Sequence, residues 1–122
     1  MEETRFEQLV AEALDGLPED IARYLDNVEV VVEWWPSPAL MQAMGLAPNQ
    51  LLFGIYQGIP LTRRTSNYGL VLPDKITIFR GPIEIVSRTD AAIRARVRHT
   101  VIHEIAHHFG ISDDRLHEIG AY

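Results

Sequence analysis

Apolar residues recur along this chain with two different periods, and each change of period marks a new element. Phe6, Leu9, Val10, Ala13, Leu14 and Leu17 form the one-sided stripe of an amphipathic helix. Gly16 and Pro18 should end it, glycine by taking a left-handed turn and proline by being unable to continue the ladder. A short second helix is predicted over PEDIARYL. The stretch NVEVVVEWW is rich in β-branched residues and reads as a strand ending at Pro36, and its Val30-Val31-Val32 run predicts burial on both faces. SPALMQAMG carries a short-helix signature, with Ser37 as N-cap, Pro38 at the first helical position and Gly45 at the far end. Leu40, Met41 and Met44 are expected to be core residues there.

QLLFGIYQG reads as a second strand interrupted by Gly54, and KITIFRG as a third, with Ile76 and Ile78 on one side and Thr77 and Phe79 on the other. Gly81-Pro82 should break it. Between the two strands, IPLTRRTSNYGLVLPD is a connection of the length that in compact domains usually signals function or mobility. Ser87, with Asp90 three residues later, resembles a capping box, and the helix it opens is predicted from about Thr89 to Phe109. Val97, Val101, Ile105 and Phe109 form a ridge along that helix, widened by Ile102 and Ala106, that should pack on the sheet. The order is helices, strand, short helix, strand, loop, strand, long helix and short tail. It predicts an α+β fold: a small mixed sheet of about three strands packed with helices.

Composition narrows the class. At 122 residues the chain suits one domain, 1–122, and its 47% apolar content is that of a folded globule. No apolar run approaches the ~20 residues that span a bilayer, so no membrane association is expected. The acidic start MEETRFEQLV lacks the basic and apolar regions of a secretory signal, which makes the cytoplasm the simplest location. The absence of cysteine excludes disulfides, thiolate zinc sites and cysteine nucleophiles. A net charge of −6 argues against nucleic acid as a partner. The charge is uneven: Arg88, Arg94, Arg96 and Arg98 face only Asp90 between positions 88 and 98, whereas the first 33 residues are strongly acidic. A solvated or salt-bridged helix face is the expected use of those arginines.

The remaining signal is chemical. In an α-helix, residues four apart share a face, so His103 and His107 of HEIAHHFGISD can aim two imidazoles at one Zn²⁺. Glu104 lies about 100° further round the helix. There it can flank the metal and reach an activated water rather than join the pair as a ligand. A catalytic zinc needs a third protein ligand and an open position. Gly110 can turn the chain back after the helix and bring Asp113 beneath its end. His117, Asp114 and Glu118 are rivals whose spacing from Gly110 fits less well. His-Glu-x-x-His alone arises by chance in roughly a few of every thousand chains this long. The glycine and aspartate at fixed places cut that by a further factor of roughly two hundred. Arg96 and His99 precede His103 on the same face and are candidates for substrate contact, with a solvent-facing role favoured for Arg96, while His108 falls on another side.

The string HEIAHHFGISD resembles that of the zincin metallopeptidases, in particular the small bacterial minimal zincins with an H-E-x-x-H-x-x-G-x-x-D motif. LFGIYQGIPLTRRTSNYGLVLPDKITIFRGPIE also resembles their central segment, so the likeness covers the chain from about Val28 onward. The resemblance implies a minimal zincin-like fold built on a C-terminal active-site helix. It implies one zinc per chain held by His103, His107 and Asp113, with Glu104 as the catalytic carboxylate. The expected function is hydrolysis of peptide bonds in a peptide or protein substrate by a metal-activated water. The alternative is a zinc-binding domain without efficient proteolysis that acts in regulation or partner binding. Larger metzincins place a methionine turn beneath the metal, and here Met1, Met41 and Met44 all precede the helix. Tyr68, His99 and Tyr122 are candidates for an oxyanion donor. Oligomeric state leaves no trace in the sequence.

Overall fold

Two strands that pair with a third from opposite sides set the frame. The structure is a computed structural model in which residues 1–58 and 73–121 are described. Strands β1 (Val28–Glu33), β2 (Gly54–Gln57) and β3 (Asp74–Phe79) form a mixed sheet in the order β1-β3-β2, with β1 parallel and β2 antiparallel to β3. Six α-helices accompany them among the described residues: α1 (Glu3–Asp15), α2 (Glu19–Ala22), α3 (Pro38–Ala43), α4 (Arg80–Val86), α5 (Asp90–Phe109) and α6 (Asp113–Glu118). The fold is α+β, as the order of periods predicts. No described helix is long and apolar enough to cross a membrane. The connection IPLTRRTSNYGLVLPD falls almost wholly outside the described residues, as do Tyr68 and Tyr122.

β3 is the central strand, and Ile76, Thr77, Ile78 and Phe79 are all buried, so both of its faces are covered. The expectation of two-sided burial fits this strand and not β1. Val30, Val31 and Val32 are only half-buried, because β1 has a single sheet neighbour. β3 does not simply break at Gly81-Pro82 but runs straight into α4. Pro82 is tolerated in its first turn, where a backbone N–H has no helical acceptor to serve. α1 also departs from expectation at its end. Gly16 has φ −88° and ψ 2°, and Leu17 donates to Leu14 O at 3.2 Å, so a tightened last turn replaces a left-handed cap.

α5 carries the core. Ile93, Val97, Val101, Ile102, Ile105 and Ala106 are buried and join Phe6, Leu9, Val10 and Ala13 of α1 with Ile76 and Ile78 of β3 in one cluster. Each buried aliphatic side chain contributes about 1.5–3 kcal/mol, enough to fix which face of α5 turns outward. Phe109 is the exception to the predicted ridge: it is 43% exposed and packs instead against Tyr24 with rings tilted and edgewise against Tyr56. The N-cap of α5 is Thr89, whose hydroxyl accepts from Ala92 N at 3.1 Å, rather than Ser87, which is buried. Glu12 of the acidic α1 answers part of the basic run on α5 by pairing with Arg94 at 3.1 Å, and Arg5 of α1 pairs in the opposite sense with Asp90 of α5.

Gly54 opens β2 instead of interrupting it, and its missing side chain is what lets β2 press against α5. A Cβ there would lie 2.8 Å from Thr100 Cγ2 and 2.9 Å from Thr77 O. Gly54→Ala should therefore push the strand off the helix and destabilise the fold by about 1–3 kcal/mol, read as a lower urea midpoint at unchanged slope. A midpoint equal to the wild type would show that the contact is slack.

Candidate metal centre and its cleft

With the apolar ridge of α5 buried, its opposite face presents a row of histidines one helical turn apart. The rings of His99 and His103 have centroids 6.2 Å apart and planes within 14°, and those of His103 and His107 are 6.5 Å apart at 35°. All three are exposed at the residue level. Two imidazoles on one tetrahedral zinc have ring centres roughly 5 Å apart. His103 and His107 stand one turn apart on one face with both rings exposed, so the pair suits an ion as a donor set.

Glu104 is held differently. Its Oε1 accepts the backbone N–H of Tyr56 at 2.9 Å, while Oε2 has no hydrogen-bond partner among the described residues. Tyr56 is itself clamped. Its ring stacks on His108 at 3.9 Å and 22°, and its hydroxyl donates to Asp74 Oδ2 at 2.6 Å. His108, which falls on another side of α5 from the metal pair, thus fastens β2 to α5.

The register explains why Tyr56 N faces the helix. Phe79 N donates to Phe53 O, so residues 53, 55 and 57 turn their polar backbone groups to β3. Gly54 and Tyr56 turn theirs the other way, along the strand edge beside α5.

Between that edge and α5 lies a cleft of about 600 Å³, bounded by Met44, Leu46, Leu51 and Phe53 on its apolar side and by Arg96, His99, His103, Glu104 and His107 on its polar side. Met44, expected in the core, is 43% exposed at the cleft instead. His99 has its pKa pulled below the ordinary histidine value, first by burial and then by the charges of Arg96 and His103. It therefore faces the cleft as a neutral imidazole at pH 7.

The left-handed turn predicted after the helix is present. Gly110 has φ 69° and ψ 31°, and Ile111 N returns to Ala106 O at 2.9 Å. Asp113 follows as the first residue of α6, capped by Ser112, whose hydroxyl accepts from Arg115 N. Asp113 is exposed and is not among the residues lining the cleft. Among the described residues, no three or more His, Asp or Glu side chains gather closely enough to hold a metal ion, and the rivals Asp114, His117 and Glu118 do not complete such a group either. The structure therefore brings His103, Glu104 and His107 to one cleft and leaves Asp113 outside it.

A family model described as a zincin-like metallopeptidase matches residues 25–121. The chain belongs to that family. No curated protein matches it significantly. The match begins in the 3-10 turn Arg23–Leu25 and takes in the whole sheet, α5 and α6, leaving out α1 and α2. In this member of the family, Gly54 and Tyr56 are positioning residues that sequence reasoning missed. Period and propensity mark them only as strand residues, and nothing in them announces contact with Glu104 or α5.

Proposed function

We propose that residues 1–122 form one zinc-dependent metallopeptidase domain that hydrolyses peptide bonds in the cytoplasm. His103 and His107 would hold one zinc per chain, with Asp113, which lies outside the cleft here, as the third ligand once α6 brings it in. The observation that carries this reading is Glu104, with one carboxylate oxygen anchored to Tyr56 N at 2.9 Å and the other left to the cleft beside the histidine pair. A zinc held there would supply a Lewis acid to acidify water and polarise a carbonyl. Glu104 Oε2 takes the proton of the attacking water and hands it to the leaving amine, while the Oε1 bond keeps the carboxylate from swinging away. Tyr56 N is taken by Glu104, so the outward backbone groups of Gly54 and the outward carbonyl of Tyr56 align an extended peptide by strand addition, and Met44, Leu51 and Phe53 receive its apolar side chains. His99, neutral and on the same face, is the oxyanion donor among the described residues.

A second reading, a zinc-binding domain that cleaves poorly and serves regulation or partner binding, is favoured by the position of Asp113 outside the cleft. Cleavage that Glu104→Gln abolishes while zinc stays bound separates the two, and zinc stoichiometry tests what they share. After chelation and zinc titration, the wild-type chain should retain one ion. Asp113→Ala should hold it about a hundredfold more weakly or worse, since even groups that only support a ligand are worth 10–100-fold. Zinc binding unaffected by Asp113→Ala would remove Asp113 from the ligand set, and no stoichiometric zinc at all would remove the metallopeptidase reading.

A further inference from the structure

The cleft contains a cation that hydrolysis does not use. Arg96 lies seven residues before His103 on α5, about 10 Å along the helix axis. Its guanidinium carbon is 4.8 Å from the centre of the Phe53 ring, and no carboxylate pairs with it among the described residues. The other arginines of α5 are engaged: Arg94 pairs with Glu12 at 3.1 Å, and Arg98 donates to Ala121 O at 3.5 Å. Arg96 is half-buried and oriented by an aromatic face, so less of its freedom remains to be lost when a ligand binds.

The groove does not stop at Arg96. A second depression of about 500 Å³, lined by Val86, Ser87, Ala92 and Ala95, shares Arg96 and His99 with the cleft. A peptide lying along α5 from His103 would cross Arg96 on its way into that depression. At about 3.4 Å per extended residue, the crossing comes roughly three residues from the bond beside His103.

We propose that Arg96 is the specificity-determining residue of this cleft and selects peptides with a carboxylate about three residues from the scissile bond. The proposal rests on the peptidase reading above and adds the substrate class to it. A guanidinium that no carboxylate pairs among the described residues, beside an apolar wall, offers two parallel N–H donors that match a carboxylate, a fit that an amide lacks. Both an Asp or Glu side chain and a C-terminal carboxylate supply that chemistry. The selection has to be local, because a chain of net charge −6 repels acidic peptides as a whole.

The test reads binding and cleavage separately. Fluorescein-labelled nonapeptide pools are randomised except for Glu or Gln at the central position, and each is made with a free and with an amidated C-terminus. Binding is followed by anisotropy on the full zinc-supplemented chain carrying Glu104→Gln, which prevents turnover. The Glu pool should bind about tenfold tighter than the Gln pool. Adding Arg96→Gln should equalise them, and Arg96→Lys should keep part of the preference because the charge remains. A preference set by the free terminus rather than by Glu would assign the terminal carboxylate as the group bound. Equal binding of all four pools, or a preference that survives Arg96→Gln, overturns the proposal. Cleavage of the same pools by the chain with Glu104 intact keeps the two ideas apart. Cutting without an acidic preference sinks the role of Arg96 alone, whereas an Arg96-dependent preference without cutting sinks the peptidase reading alone.

Discussion

Glu104→Gln should abolish peptide cleavage while leaving zinc content and unfolding midpoint as they are in the wild-type chain. The isostere keeps the shape of the side chain, and its carbonyl oxygen still accepts the Tyr56 N–H that now holds Oε1 at 2.9 Å. What the change removes is the second oxygen's capacity to take a proton. General acid–base catalysis is typically worth 10²–10⁴-fold, so a loss within or beyond that range is expected in kcat on any cleaved peptide. The control is Tyr56→Phe, which removes the hydroxyl bond to Asp74 but leaves the backbone bond to Glu104 in place. Cleavage by Glu104→Gln at the wild-type rate would end the hydrolytic assignment. Loss of zinc along with activity would instead show that Glu104 serves the metal rather than the proton.

The carboxylate and its histidines were legible because helical geometry alone relates positions four apart. His103, His107 and the buried ridge through Val97, Val101 and Ile105 follow from one period, and that period survives tertiary packing. The turn at Gly110 was legible for a similar reason, since glycine takes a positive φ without a steric penalty. Where Asp113 ends up was not legible. Its place depends on how Ser112 caps α6 and on how Leu116 packs into the core, and neither is encoded in the spacing from Gly110. Long-range contacts were equally hidden. Nothing near Tyr56 in sequence indicates that its backbone meets a carboxylate 48 residues away, and nothing near Gly54 marks Thr100 as its neighbour. β1 misled because a run of valines looks the same in a central strand as at a sheet edge, and only the strand order decides.

Arg80 shows the same blindness at larger energetic cost, and Arg80→Ala should be the most destabilising single change in the described part of the molecule. Sequence marks it only as the end of a strand, yet it is 2% exposed. Its Nε donates to Glu84 Oε2 at 2.9 Å, and a terminal nitrogen donates to Met1 O, tying α4 to the start of α1. The guanidinium also lies 3.9 Å from the Trp34 ring centre and 5.1 Å from that of Phe6. Removing one partner of a buried ion pair costs about 3–5 kcal/mol because the other charge is left uncompensated. Glu84 keeps the Met1 ammonium at 3.6 Å and some solvent, which places the expected loss near the lower end, about 3 kcal/mol. In thermal unfolding that corresponds to a midpoint lower by roughly 10 °C. The penalty belongs to the orphaned charge and not to the missing attraction, so the double change Arg80→Met with Glu84→Leu should recover most of it. A double variant as unstable as Arg80→Ala would place the stabilisation in the bond to Met1 O and the aromatic contacts instead. Zinc affinity of the folded fraction should be unaffected in every case, because Arg80 acts through α1 and α4 and none of its partners lines the cleft. Arg80→Ala and Glu104→Gln should therefore give opposite signatures, one lowering stability at constant site chemistry and the other abolishing chemistry at constant stability.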